Sequence, residues 1–357
     1  MNADWLGSTD AVRAGAHWLT GHGPENDVVI SSRVRLARNI EGFPFVCRAD
    51  TQARTRLLAH AKAALLSVQL NEQCAWVDVH ALGGVDRTLL VERHLISKEH
   101  GKGDEPRGLL VSIPDERLSI MVNEEDHLRV QVVLPGLSLG EAYRQIDAAD
   151  DRIESALDYA FCPRFGYLTA CPTNVGTAIR CSAMLHLPAL KITGEVDKVK
   201  LAARDMGLAV RGFYGEGSDA IGDFYQISNQ TTLGKPEAKL LAELDRDILP
   251  QVLQYERLAR KNLMEKRRKL LEDRVFRALG SLRSARLLPP EEALAHLSLV
   301  RLGILCGLIT DVVEQTVAQL VVQTQPAHLQ RMLGRELDQQ QRREARADVV
   351  RHMLKGV

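Results

Sequence analysis

The amino-acid sequence predicts an α+β protein, a mostly antiparallel sheet flanked by helices, followed by an all-α C-terminal domain. Three observations predict it. Up to about residue 235, the short apolar runs DVVISS, RTLLVER, GLLVSIP, RLSIMVN and LRVQVVLPG alternate with turn signals, and several show the period-two pattern of strands. Helical segments are interleaved among strand pairs that read as hairpins, which argues against a doubly wound parallel sheet. Beyond Pro236 the pattern becomes helical nearly to the end of the chain.

Taken in order, TQARTRLLAHAKAALLSVQ (51–69) repeats Leu57, Leu58, Ala61, Leu65 and Leu66 at helical spacing. SLGEAYRQIDAADDRIESAL (138–157) reads as a second helix, opened by a capping box of Ser138 with Glu141. PEAKLLAELDRDIL places Pro236 in a first helical turn, with Leu240, Leu241, Leu244 and Ile248 along one side. Pro250 is expected to interrupt that helix, after which ERLARKNLMEKRRKLLEDRVFRAL continues as one charged, amphipathic run. LPPEEALAHL (288–297) opens another helix with prolines and acids at its start. These textures divide the chain into an N-terminal segment (1–26), a mixed domain (27–255) and a helical domain (256–357).

Composition excludes several function classes. The chain has 357 residues, 45% hydrophobic, enough for a sizeable core in about two domains. Lys plus Arg number 46, equal to Asp plus Glu, and aromatic residues are only 4%. That balance argues against a nucleic-acid or membrane-surface protein and against base-stacking platforms. The six cysteines form no CxxC pair, which fits a reducing cytosol. MNADWLGSTD lacks the apolar core of a signal peptide, and LSLVRLGILCGLI (297–309) is too short to span a bilayer. The expectation is a cytoplasmic protein that contacts neither nucleic acid nor membrane.

Four local constellations could carry chemistry. NEEDHLRV (123–130) gathers three acids, a histidine and an arginine between apolar runs. A solvated turn, a metal site and a trap for a guanidinium or ammonium group are all open readings; no HExxH or EF-hand spacing supports the metal. In SSRVRLARN (31–39), Arg33 and Arg35 are two apart and so project to one side of an extended segment, where two guanidinium forks suit a polyphosphate. A solvated face is the plainer alternative. FCPRFGYLTACPTNVGTAIRCSAMLHLPAL (161–190) holds Cys171 before a proline, extended beside a Thr/Asn/Gly turn, with Arg180 nine residues on. Cys171 is either a reactive thiolate or simply a buried apolar residue, and no papain-like partner pattern accompanies it. VRGFYGEGSDAIGDFYQISNQTTLG (210–234) is a glycine-rich loop with Glu216 at its centre, and it matches neither the P-loop nor a GxGxxG pattern. A loop of this composition could close over a substrate.

Together, SSRVRLARN, VERHLIS, NEEDHLR, CPTNVGT, TAIRCSAMLHLPAL and RGFYGEGSDAIGDFYQISNQTTLGK resemble the phosphagen (guanidino) kinase catalytic domain over roughly residues 27–255. The layout, with only 30 residues before Ser31 and a helical C-terminal domain, is similar to the bacterial protein arginine kinases of the McsB type. The resemblance implies transfer of the γ-phosphoryl of Mg-ATP to an arginine side chain in a protein. It implies ATP contacts at Ser31, Ser32, Arg33, Val34, Arg35, His94, Arg129, Arg180, Cys181, Ser182, Ala183, Met184, Arg211, Gly212, Phe213, Tyr214 and Gly215. Glu125 and Glu216 would grip the acceptor guanidinium, with Glu125 as base, and Cys171 would act as a thiolate beside it. Mg2+ would ride on phosphate oxygens and water, with no dedicated protein ligand. The implied partners are protein substrates, an activator protein, a heat-shock repressor, the Clp chaperone–protease and a second copy of the chain in a homodimer, in the setting of stress response and quality control.

This chain departs from the family pattern at Ala178, where glycine is usual, and at Cys181, where alanine is common. In RREARA (342–347), Arg342 and Arg346 match a motif that binds phosphoarginine as an allosteric ligand, but Arg343 replaces its aspartate, and an ordinary solvated helix face is the alternative reading. Asp126 receives no role. The alternatives are a kinase of free arginine or a related small compound, and a non-catalytic phosphoarginine-binding adaptor; retention of Glu125, Cys171, Glu216 and five arginines counts against the adaptor.

Overall fold

The computed structural model describes residues 17–19, 22–71, 73–212 and 221–355. Strands β1 (Val29–Arg38), β2 (Cys74–Asp78), β3 (Gly108–Ser112), β4 (Leu118–Val122) and β5 (Leu128–Pro135) come first in the chain. A short hairpin of β6 (Phe161–Cys162) and β7 (Gly166–Tyr167) follows, then β8 (Ile179–His186), β9 (Leu208–Arg211) and β10 (Phe224–Asn229). Among the described residues, all but the hairpin join one eight-stranded sheet in the order β2-β3-β4-β5-β1-β8-β10-β9, and every adjacent pair is antiparallel.

The helices of this part are α1 (Thr51–Ser67), α2 (Gly84–Glu92), α3 (Leu139–Glu154), α4 (Pro188–Thr193) and α5 (Val196–Asp205). Asp50 caps α1 through Ala53 N at 2.7 Å; Leu57, Leu58, Ala61 and Leu65 are buried, while Leu66 is exposed. Each buried leucine is worth about 1.5–3 kcal/mol. RTLLVER is helix rather than strand, because a short apolar run looks alike in either state and only packing of Leu89 and Leu90 decides it. The capping box at α3 does not form: Ser138 Oγ donates to Pro135 O at 2.9 Å, and Ser138 N donates to Ser32 Oγ at 2.9 Å. The turn from β5 claims that hydroxyl first.

The two faces of the sheet differ. One carries Val34, Leu36, Val130, Val132, Cys181, Ala183 and Ile227 into the main core with α1 and α3. The other is apolar only at the β2-β3-β4 end, where Ala75, Val77, Leu109, Val111 and Met121 pack against Leu89 and Leu90 of α2. Across the remaining strands it is mainly polar, with Val133 and Met184 interspersed.

The C-terminal part comprises α6 (Glu237–Ala242), α7 (Leu249–Lys266), α8 (Arg268–Ser284), α9 (Pro290–Leu305), α10 (Glu314–Gln323), α11 (Pro326–Leu333) and α12 (Gln339–Met353). Pro250 does not break the helical run. A widened π-turn over Glu243–Ile248 joins α6 to α7 and accommodates a residue with no N–H to donate. The expected division after residue 255 lies inside α7, and helical geometry lapses at Arg267 (φ −136°), which splits the expected single run in two. Buried Glu256 of α7 accepts from Ala189 N and Leu190 N at the start of α4, and Arg301 of α9 bonds His186 Nδ1 at 2.7 Å, so helices and sheet share one core. No described helix is long and apolar enough to cross a membrane.

Arg38 shows how strongly the core face is specified. It follows Val34 and Leu36 in alternation, is 2% exposed, pairs with Asp150 of α3 at 2.6 Å and lies 3.6 Å over the Tyr167 ring. Asp150→Ala would leave that guanidinium buried without its counter-charge, so unfolding in urea should show a loss of about 3–5 kcal/mol.

Candidate active site

Alternation on β1 sends Arg33 and Arg35 to the polar face, and the register assembles the rest of the site around them. Arg35 lies opposite Gln131 of β5 on one side and Arg180 of β8 on the other. Arg129 is two residues from Gln131, Ser182 two from Arg180, and Arg211 of β9 lies opposite Gln226 of β10. Residues opposite one another across antiparallel strands share a face, so four strands and β9 contribute to one cationic surface. Polar neighbours orient the guanidinium groups: Arg33 Nη2 donates to Gln226 Oε1 at 3.0 Å, and Arg180 Nη2 to Ser228 Oγ at 3.0 Å.

This surface floors a cleft of about 640 Å³ lined by Arg33, Arg35, Arg129, Arg211, His94, Glu124 and Glu125 among others. A narrow extension lined by Ser31, Ser182, Met184, His94 and Trp18 continues from it. Burial, then the charges of Arg129, Arg180 and Arg211, push the Arg33 guanidinium down to about 9, still cationic at neutral pH. Arg35 is pushed well below its ordinary value by burial and by the same arginines with Arg33, and its buried Nε makes no hydrogen bond. Concentrated, partly desolvated cations of this kind are matched by a polyanion such as a triphosphate.

His94 follows α2 and borders the cleft in a left-handed backbone conformation (φ 59°). Its carbonyl accepts from Gln131 Nε2 at 2.7 Å, and the Trp18 ring meets it edge-on at 4.8 Å. Burial and then Arg33 and Lys98 push His94 down to about 3, so its imidazole is neutral.

The three acids of NEEDHLRV have three different fates. Glu124 accepts from Arg129 Nη1 at 2.8 Å, Ser97 Oγ at 2.6 Å and Glu125 N at 2.8 Å. Burial alone would raise its carboxyl, but the Arg129 charge and these donors outweigh it and hold the group at about 2. Glu125 is exposed and lines the cleft. Asp126, which sequence reasoning left unassigned, is buried; its Oδ1 accepts from Asn39 Nδ2 and from Ala170 N, each at 2.7 Å. Burial raises the Asp126 carboxyl despite those bonds. His127 is a scaffold: its Nδ1 accepts from Ile40 N, and its Nε2 bonds Pro44 O, each at 2.9 Å.

Asp126 therefore ties the residue after Glu125 to the residue before Cys171. Cys171 itself opens a 3-10 turn over Pro172–Asn174, half-buried, with Sγ 3.0 Å from Thr173 Oγ1. Gly176 holds the far end of that loop at φ +117°, where an added Cβ would sit 2.9 Å from Thr232 O.

Other expected residues go elsewhere. Ser32, Val34, Cys181 and Ala183 face away from the cleft because they occupy the alternate strand positions; Ser32 Oγ donates to Gly136 O at 2.8 Å, and the other three lie in the main core. Gly212 is buried just beyond β9. Glu216, Phe213, Tyr214 and Gly215 lie outside the described residues. Arg342 and Arg346, expected at an allosteric site apart from the cleft, lie on α12, where Arg346, 1% exposed, donates to Thr324 O and Leu288 O, and Arg342 donates to Leu337 O. Lys98 and Arg107 line the cleft without having been singled out, their sequence surroundings being ordinary polar loop.

A family model described as ATP:guanido phosphotransferase, C-terminal catalytic domain, matches residues 57–259. The chain belongs to that family. A second, described as Protein-arginine kinase McsB C-terminal domain, matches residues 268–357, and the two models leave between them the stretch that contains Arg267. Similar chains include the protein-arginine kinase of Halothermothrix orenii, 44% identical over 95% of this chain and 96% of that one. The protein-arginine kinase of Pelotomaculum thermopropionicum is 43% identical over 95% of both. Together these place the chain in the McsB-type, protein-arginine kinase branch of the family. The duplicated taurocyamine kinase of Schistosoma mansoni, with transition-state analogue components bound, superposes with a TM-score of 0.59 at 25% identity, covering 67% of this chain and 34% of that one.

Two outcomes follow from the acid loop. Asp126→Ala should lower kcat for phosphoryl transfer to casein about 100-fold while the KM for ATP changes less than about twofold, since a 1 Å misplacement costs that much. Glu124 has a depressed folded pKa, so its stabilisation is complete above the ordinary value of 4.5 and is lost as pH falls toward about 2. Over that window the urea stability of wild type should fall more steeply than that of Glu124→Gln, by up to about 1.4 kcal/mol per pH unit.

Proposed function

We propose that the cleft binds Mg-ATP through its arginine-lined sheet face and transfers the γ-phosphoryl group to the guanidinium of arginine side chains in proteins. The observation that carries this is the junction of opposite charges at one loop. Arg129 faces the cationic floor, and Glu125 stands at its edge, four residues before it and one side chain from Asp126, the anchor of the Cys171 loop. Phosphoryl transfer needs charge neutralisation and alignment on one side and orientation of a poor, cationic nucleophile on the other. Arg33, Arg35, Arg129, Arg180 and Arg211 supply the first, and the buried, unbonded Nε of Arg35 fits a phosphate oxygen. Glu125, with Glu216 of the glycine-rich loop, would grip the guanidinium and take its proton, and Cys171 would tune it electrostatically. Magnesium would be held on phosphate oxygens and water.

A protein acceptor rather than a free guanidino compound is favoured by near full-length similarity to protein-arginine kinases and by the matched helical C-terminal domain. By the same resemblance, the proposal extends to a cytoplasmic homodimer in protein quality control, working with an activator, a heat-shock repressor and the Clp chaperone–protease.

Incubation with Mg-ATP and casein should give acid-labile phosphate on arginine, seen by mass spectrometry under conditions that preserve the P–N bond. Phosphorylation of free arginine alone would instead mark a small-molecule kinase. Glu125→Gln should lower kcat by at least about 100-fold; activity near wild type would move the base to Glu216.

A further inference from the structure

Glu92 lies at the end of α2, two residues before His94, and its carboxylate is buried away from the cleft. It accepts from Ala327 N at 2.8 Å, His328 N at 3.0 Å and His328 Nδ1 at 2.7 Å. Ala327 and His328 belong to the first turn of α11, whose N–H groups have no partner within their own helix, so an anion there is strongly favoured. The preceding turn is fixed from the other side by Arg346, which takes Thr324 O. On the surface, Arg331 of α11 pairs with Asp86 of α2, Nε to Oδ1 at 2.7 Å. Thus α11 backs α2, while α2 leads straight into the border of the cleft.

What happens next along the chain gives this docking a consequence. Arg93 is locked by Glu116, with Nε 2.9 Å from Oε2, and both are buried. His94 then takes a left-handed conformation (φ 59°), which costs a residue with a Cβ energy and persists only where its surroundings over-determine it. On the sheet side, Gln131 holds the His94 carbonyl and Trp18 packs against its ring. On the helix side, the end of α2 is held through Glu92.

We propose that Glu92 is a positioning residue for nucleotide binding: by clamping the end of α2 to the first turn of α11, it keeps His94 in the strained conformation that shapes the nucleotide side of the cleft. The C-terminal helices thereby set ATP affinity without contacting ATP. This rests on reading the cleft as the ATP site.

The test is steady-state kinetics of full-length variants with ATP and casein. Glu92→Ala should raise the KM for ATP about tenfold and leave the KM for casein within about twofold. Glu92→Gln, which keeps an acceptor oxygen for one N–H, should fall between Glu92→Ala and wild type. Arg331→Ala removes only the surface pair and should fold normally, with the KM for ATP raised about twofold. A merely structural role would lower the active fraction, and hence apparent kcat, while leaving both KM values unmoved; that result, or equal shifts in both, overturns the proposal. His94→Ala separates the two layers. If it raises the KM for ATP while the Glu92 and Arg331 variants do not, the clamp is refuted and the cleft reading stands. If His94→Ala leaves the KM for ATP unchanged, the cleft reading fails and the proposal falls with it.

Discussion

The period of two along β1 is the constraint on which the rest depends. β1 is central in the sheet, paired with β5 and β8, so each residue from Ser31 to Leu36 has a neighbour on both flanks. Its even positions, Val34, Leu36 and Arg38, go to the core; its odd positions, Arg33 and Arg35, go to the cleft. A slip of one residue would bury two arginines against α3 and expose the apolar set, which makes the register very strongly specified. The same constraint extends through antiparallel pairing to Arg129, Arg180 and Arg211, each brought to the face that β1 selects. The cluster is thus a product of register, and its mutual repulsion is carried by the burial of the opposite face.

Placing so many cations together has an electrostatic cost, and the acid loop limits it locally. Glu124 neutralises Arg129 and fixes its direction, while Asp126 spends its charge on the Cys171 loop. Only Glu125 of the three lies exposed at the cleft edge. One tripeptide of acids therefore does three separate jobs: holding a cation, meeting the cleft and joining two loops. Exposure sets Glu125 apart, while the buried carboxylates of Glu124 and Asp126 are separated by their partners, an arginine charge for one and neutral N–H donors for the other.

The helical C-terminal region is not an appendage. Glu256, Arg301 and Glu92 each cross between it and the sheet domain with buried, charge-assisted bonds, and two of the three serve helix N-termini. Such bonds are costly to leave half-made, so the two regions are expected to fold and respond together rather than as independent units.

Much of the site was legible in local sequence, and the reasons for the failures are specific. The shared face of Arg33 and Arg35 and the hairpin-paired antiparallel sheet both follow from short-range periodicity, which acts within a few residues. Ser138 lost its capping role to the turn three residues before it and Pro250 was absorbed by a π-turn just ahead of it, two local competitors that the motifs do not rank, whereas RTLLVER became a helix through packing against strands distant in sequence. The role of Asp126 was equally unreadable, because Asn39 and Ala170 lie 87 and 44 residues away. By itself the sequence determined which residue types could meet a polyphosphate and a guanidinium, since chemistry and alternation are local. Which acid anchors the Cys171 loop and which helix backs His94 were settled by folding alone, because those hydrogen bonds join segments 44 and 236 residues apart and exist only once the chain has folded.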